Sequence, residues 1–165
     1  MVIVAVTSAI GASAPVTIAG GALDPQVNDA DVYVDTPKLS KDATGPACRV
    51  AQKYITFVQN GQFEAIAELF SDDAVVLEPT RQNVRGRDAI VQFYSGTIGR
   101  MKPDIIAVSY VGDATDCMVA IAVRESIGAT ARYRLASLDH FTLDERGKAI
   151  SMVAYVRPVS RTPPR

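Results

Sequence analysis

Three side chains have the types and settings for chemistry: Tyr54, Glu78 and Asp139. Asp139 falls inside 133-YRLASLDHFTL-143, which alternates like a β-strand. Side chains alternate across a strand. Tyr133, Leu135, Ser137, Asp139, Phe141 and Leu143 therefore share one expected face, and Arg134, Ala136, Leu138, His140 and Thr142 the other. If the first face looks inward, Asp139 is a carboxyl group in a place of low dielectric. An unpartnered carboxylate is costly there, so such a group takes up a proton instead. Each pKa unit of upward shift corresponds to about 1.4 kcal/mol. A protonated Asp at neutral pH donates a hydrogen bond, which is useful where an oxyanion develops. The same periodicity allows two other outcomes. Asp139 faces solvent while Leu138 and Ala136 cover the core, or Arg134 or Arg132 neutralises it.

Glu78 ends the apolar run 74-AVVL-77, just before Pro79. A carboxylate at a strand terminus and aimed into a cleft suits a general base. Taken alone it reads as a solvated loop carboxylate. Tyr54 lies on the apolar stripe of a helix. Taken alone it is a packing residue whose hydroxyl reaches a nearby acceptor.

The elements that would position these groups follow from periodicity. Ala47, Val50, Ala51, Tyr54, Ile55 and Val58 recur at helical spacing behind Pro46, and Asn60-Gly61 ends that helix. Phe63, Ile66, Ala67 and Phe70 predict a second, shorter helix, and 74-AVVL-77 a buried strand that Pro79 stops. Arg85-Gly86-Arg87 turns the chain into a third helix, with Ala89, Ile90, Phe93, Tyr94 and Ile98 on its apolar side. Strands are predicted over 105–111, 117–126, 133–143 and 149–156, the last two joined by the turn 144-DERG-147. Helices first and then antiparallel strands read as α+β, with helices on one face of a curved sheet.

Composition excludes several classes. The 165 residues are 48% hydrophobic and 21% charged, with net charge −1. That gives no electrostatic case for nucleic acid. No apolar run reaches the ~18 residues of a membrane helix. One histidine and two distant cysteines, Cys48 and Cys117, make a zinc site improbable and form no redox motif. A buried disulfide is one option for them, and two reduced core thiols are the favoured expectation.

The trio falls within a family pattern. The segment 54-YITFVQNGQFEAIAELFSDDAVVLEP-79 resembles the opening of bacterial ketosteroid isomerases (steroid Δ5-isomerases), and 138-LDHFTLDERGKAISMVAY-155 resembles their closing strands. The resemblance runs from about Cys48 to about Ser160. NGQ, SDDA, RGRDAI and a late hairpin are shared with the wider nuclear-transport-factor-like and polyketide cyclase-like superfamily. The resemblance implies a cone-shaped curved antiparallel sheet against three N-terminal helices, with an N-terminal extension. It implies a Δ5-isomerase-type proton transfer that moves a C=C into conjugation with a ketone through a dienolate. Tyr54 and a protonated Asp139 would form the oxyanion hole, and Glu78 would be the base. Tyr94 would bond to Tyr54, and Phe70, Phe141 and Val156 would line or back the pocket. A protonated aspartic acid in such an oxyanion hole is a worked case of pKa tuning for this family. No cofactor or metal is implied.

This chain departs from the family in having Glu78 where Asp is usual, and Val156 where an aromatic wall is often found. The alternatives are a polyketide cyclase-like or other enzyme of the same fold, or a non-catalytic binder of lipophilic small molecules. Expected partners are a hydrophobic small molecule (a steroid or similar ketone) and a second copy of the chain, with no nucleic acid and no membrane. The expected division is an extension over 1–45, a cone domain over 46–160 and a flexible tail over 161–165. In the extension, VIVAV and VYV could each add a short strand. A cytoplasmic location is expected, with export the alternative if residues 1–14 act as a signal; Ala12-Ser13-Ala14 resembles a cleavage site, but no basic residue precedes Lys38.

Overall fold

The computed structural model describes residues 33–34, 43–78, 83–127 and 130–156. After a short strand β1 (Tyr33–Val34) come α1 (Pro46–Asn60) and α2 (Phe63–Ala67). Then follow β2 (Phe70–Leu77), β3 (Asn83–Arg85) and α3 (Arg87–Phe93). A π-helical turn (Tyr94–Ile98) and a short α4 (Gly99–Met101) extend α3. Strands β4 (Ile105–Gly112), β5 (Asp116–Ile127), β6 (Thr130–Leu143) and β7 (Ala149–Val156) complete the chain. The α+β expectation and its cone-like sheet with N-terminal helices are what the fold shows.

The strands run in the order β3-β2-β7-β6-β5-β4, with β1 also paired to β6. Pairing is antiparallel except between β2 and β7, which run parallel. The helices between β2 and β4 carry the chain across the sheet, so β7 returns beside β2. Register shifts interrupt four of the ladders. Such bulges bend strands and increase local twist, which curves the sheet around the helices.

The VYV segment does add a strand: Tyr33 pairs with Arg134 and Val34 with Tyr133. β5 occupies one edge of β6 along this stretch, and β7 pairs only from Ser137 onward. Hence β1 takes the place beside β6 that β7 vacates. VIVAV lies outside the described residues.

Helix α1 buries Ala47, Cys48, Ala51, Tyr54, Ile55 and Val58, the stripe expected with Cys48 in place of Val50. It ends where Gly61 adopts φ +66 and its N–H reaches Phe57 and Val58 carbonyls, a conformation glycine takes at no steric cost. Two boundaries differ from expectation. Phe70 opens β2 rather than closing α2, and β3 has no strong strand signature of its own. Ile66, Phe70, Ile90, Phe141 and Met152 are fully buried. Each such side chain contributes about 1.5–3 kcal/mol relative to exposure.

The cysteines require a correction. Cys48 of α1 and Cys117 of β5 form a disulfide across a sequence separation of 69 residues. Sequence distance hid the pairing, because only the docking of α1 along β5 brings the two together.

Candidate functional site

The site is built on three elements. Tyr54 projects from the middle of α1, where the apolar stripe faces the sheet. Asp139 projects from β6, paired with Val119 on one side and Ala154 on the other. Tyr94 stands where α3 passes into the π-helical turn. Such a turn is often found at functional sites. Tyr94 Oη donates to Tyr54 Oη at 3.2 Å, and the rings meet edge to face at 5.7 Å. Phe141, two residues along β6 from Asp139, packs on Tyr54 with ring centroids 5.2 Å apart. Phe70 stands behind Phe141 at 6.4 Å and belongs to the core floor.

Asp139 is the sole buried charged or polar residue among those described, 4% exposed. Its Oδ1 is buried without a hydrogen-bond partner among the described residues. It does not face solvent, and burial outweighs any neutralising charge. Burial raises its pKa from 3.8 to about 7; the Ser137 hydroxyl nearby opposes the rise and the charge of Glu78 adds to it. Burial also raises Tyr54 well above its ordinary value, with the charges of Asp139 and Glu78 adding to it and the hydrogen bond from Tyr94 opposing it. Tyr94 is raised in the same way, first by burial and then by its partner Tyr54. Glu78, half-buried just past the end of β2, is raised by burial. Its charge acts on Tyr54, Tyr94 and Asp139 alike. Four titratable groups from separate elements thus share one electrostatic neighbourhood.

Alternation along β6 holds for Asp139, Phe141 and Leu143, all buried. It fails toward the start of the strand. Ser137 pairs with Ile121, but Leu135 pairs with the next residue, Ala122. Ala136 is the extra residue of a bulge, so Tyr133 and Leu135 leave the Asp139 face. Tyr133 instead lies beside Arg124, and both bond Asp104. Arg134 moves to the row of Val123, which packs against the core. Val156 opposes Ser137 at the end of β7 and is 47% exposed, a position on the rim. The sequence reading gave no part to Ser137, although its position two residues before Asp139 was signal enough.

A buried carboxyl whose proton is held up to about pH 7 and a phenol that resists ionisation are two groups able to donate hydrogen bonds. A carboxylate with raised basicity stands near them. That combination can hold an oxyanion and move a proton.

The helix-filled curved sheet places the molecule first among nuclear-transport-factor-like folds. It superposes on Δ5-3-ketosteroid isomerase from Mycobacterium sp. with a TM-score of 0.55 and 20% identity, covering 68% of this chain and 93% of that one. It superposes equally on RV0760c from Mycobacterium tuberculosis, solved with estradiol-17beta-hemisuccinate: TM-score 0.55, 17% identity, 68% of this chain and 94% of that one. At these identities the likeness concerns the fold. Sequence narrows the class. Residues 51–152 match the SnoaL-like domain, and a steroid Delta-isomerase of Nocardioides simplex is 32% identical over 108 residues, 64% of this chain and 85% of that protein. The chain belongs to the SnoaL-like family of the nuclear-transport-factor-like superfamily.

Proposed function

We propose that the protein is an isomerase that moves a C=C into conjugation with a ketone in a steroid or similar hydrophobic substrate. The observation that carries this reading is Asp139: buried, unpartnered at Oδ1 and poised to be neutral, beside Tyr54 and within the field of Glu78. The Glu78 carboxylate takes a proton from the carbon between the ketone and the isolated double bond. The electron pair moves onto the ketone oxygen, giving a dienolate. Tyr54 and Asp139 donate to that oxygen, and Tyr94 supports Tyr54 through its hydroxyl. Glu78 then returns the proton at the far end of the dienolate, and the conjugated enone forms. Donors set in advance in a water-poor site stabilise such charge more than water does.

Glu in place of the usual Asp extends the base by one methylene. A misplacement of about 1 Å can cost about 100-fold, so the pocket or the substrate is matched to the longer arm. Val156 on the rim leaves more room than an aromatic wall and fits a bulkier ring system. Residues 46–160 form the catalytic domain of this reading, with 1–45 as an arm and 161–165 as a tail.

A homodimer through the outer face of the sheet accompanies the proposal. Met118, Leu138 and Tyr155 are 38%, 39% and 56% exposed on that face, an apolar patch that a second copy would cover. Among the described residues no helix is long and apolar enough to cross a membrane. Between a cytoplasmic location and export, the Cys48–Cys117 bond favours an oxidising compartment, since reducing cytosol keeps such pairs as thiols.

The decisive experiment is incubation of the purified protein with 5-androstene-3,17-dione while absorbance of the conjugated enone is followed. A rise is expected. A flat trace at high protein concentration would exclude this ketone. If an equilenin-like phenol, which mimics the dienolate, also fails to bind, the isomerase reading falls.

A further inference from the structure

The two proposed donors stand on separate elements, Tyr54 on α1 and Asp139 on β6. Whether they converge on one oxygen depends on how α1 is seated against the sheet. Three moorings hold it. At its start Gly45, at φ +81, packs so closely that a Cβ would lie 2.7 Å from the Asp113 carbonyl oxygen. One turn in, Cys48 is bonded to Cys117. At its end Gln59 Nε2 donates to the Ile105 carbonyl at 2.7 Å.

The covalent mooring is the one that lies next to the site. Cys117 pairs across β5–β6 with Phe141, whose ring packs on Tyr54, and Cys117 is two residues from Val119, the partner of Asp139. The disulfide therefore joins the helix of one donor to the row of the sheet adjoining the other. Both cysteines are buried, at 1% and 0% exposure. Gly112 faces them so tightly that a Cβ there would stand 2.9 Å from Cys48 Sγ and 2.7 Å from Cys117 Cα. The end of β4 thus packs closely against the bond.

We infer that Cys48 and Cys117 are positioning residues for the oxyanion hole: their bond sets the seat of α1 so that the Tyr54 hydroxyl and the Asp139 carboxyl address the same ligand atom. This rests on the isomerase reading. The bond touches neither substrate nor reacting atoms and acts through Tyr54 alone. A shift of about 1 Å in a reacting geometry can cost about 100-fold, so a loosened seat should show in turnover before it shows in substrate capture.

The test compares the full-length wild type with the variant Cys48→Ala/Cys117→Ala. The melting temperature of each protein is measured first, and turnover of 5-androstene-3,17-dione, affinity for equilenin and the ionisation signature of the bound phenol are then measured well below the variant's own melting temperature. The expected result is a kcat at least tenfold lower, a KM within about twofold, and a phenol affinity and ionised fraction that fall with kcat. A melting temperature that drops while kcat and phenol affinity stay within twofold would make the bond a staple for stability only and overturn the inference. Gln59→Ala keeps the disulfide and frees the other end of α1, and its kcat should stay within about twofold. A tenfold loss there would place control of the seat at the helix end and also overturn the inference, whether or not the double variant folds. A wild type that neither turns over the ketone nor binds the phenol sinks the isomerase reading itself. A wild type that does both, matched by its disulfide-free variant, sinks only the role of the bond.

Discussion

Asp139 and Asp116 sit on neighbouring strands and on opposite faces of one sheet. Asp116 is supplied with partners: His140 Nε2 lies 3.1 Å from its Oδ1, Thr142 Oγ1 donates to the same oxygen at 3.0 Å, and Thr115 Oγ1 donates to Oδ2 at 3.0 Å. Asp139 is buried under helices and aromatic rings, and its Oδ1 meets no donor. His140 and Asp139 are adjacent in sequence, yet one joins a partly exposed polar cluster and the other the buried face of the sheet. The difference teaches that the carboxyl chemistry is set by the side of the sheet and not by residue type. A satisfied carboxylate is structural. One left unsatisfied inside a protein costs stability, and that cost is tolerated where a ligand supplies the missing partner.

The contrast can be broken by substitution. The largest effect is expected on the inner face from Glu78→Gln, which removes the proposed base and spares the proposed donors. Turnover should fall by roughly 10²–10⁴-fold while equilenin affinity is kept; undiminished turnover would remove Glu78 from its role. Asp139→Leu should follow, losing about 2.7–4 kcal/mol of oxyanion stabilisation, or roughly 10²–10³ in kcat. Here phenol binding should weaken too, which separates a lost donor from a lost base.

Titration sharpens the comparison. Asp139 is neutral below its pKa of about 7. As pH rises through that value its O–H donor is lost and a negative charge appears beside the bound oxyanion. Phenol affinity should be flat at lower pH and fall above about pH 7, and Asp139→Asn should flatten the profile. Stability has the same sign. The folded-state pKa lies above the 3.8 of the free group, so between the two values the folded protein holds more protons than the unfolded chain. Its stability falls as pH rises from about 4 to about 7 and then levels. Burial of Glu78 acts in the same direction. Urea midpoints at about pH 5 and about pH 8 should therefore differ less in Asp139→Asn than in the wild type.

Smaller effects bound the comparison. Tyr94→Phe removes one hydrogen bond to Tyr54, a change of about 0.5–1.5 kcal/mol and at most roughly tenfold in kcat. On the outer face, His140→Ala should leave kcat within twofold and lower stability by about 1 kcal/mol or less. A large loss of turnover in His140→Ala would dissolve the distinction between the two faces.

Much of this was legible in the chain. The stripe of α1, the shared face of Asp139, Phe141 and Leu143, the stop at Gly61 and the last hairpin follow from periodicities of 3.6 and 2 and from turn chemistry, all of them local; which face of β6 is buried does not. Asp139 could be nominated because an acid among apolar alternating residues is visible in eleven letters. Its neighbours could not be read off as easily. The bulge at Ala136 moves Tyr133 and Leu135 off the Asp139 face because one extra residue reverses alternation, and no local signal marks it.

Sequence by itself determined which residues had chemical capacity and which helices and strands would carry them, since those depend on side-chain type and short-range spacing. Tertiary structure alone decided that Asp139 Oδ1 would be buried without a donor among the described residues, that Tyr94 would reach Tyr54 across 40 residues, and that Cys48 would meet Cys117 across 69. These depend on how α1 docks on the sheet and where the strands slip register. Both are outcomes of packing between segments distant in the chain.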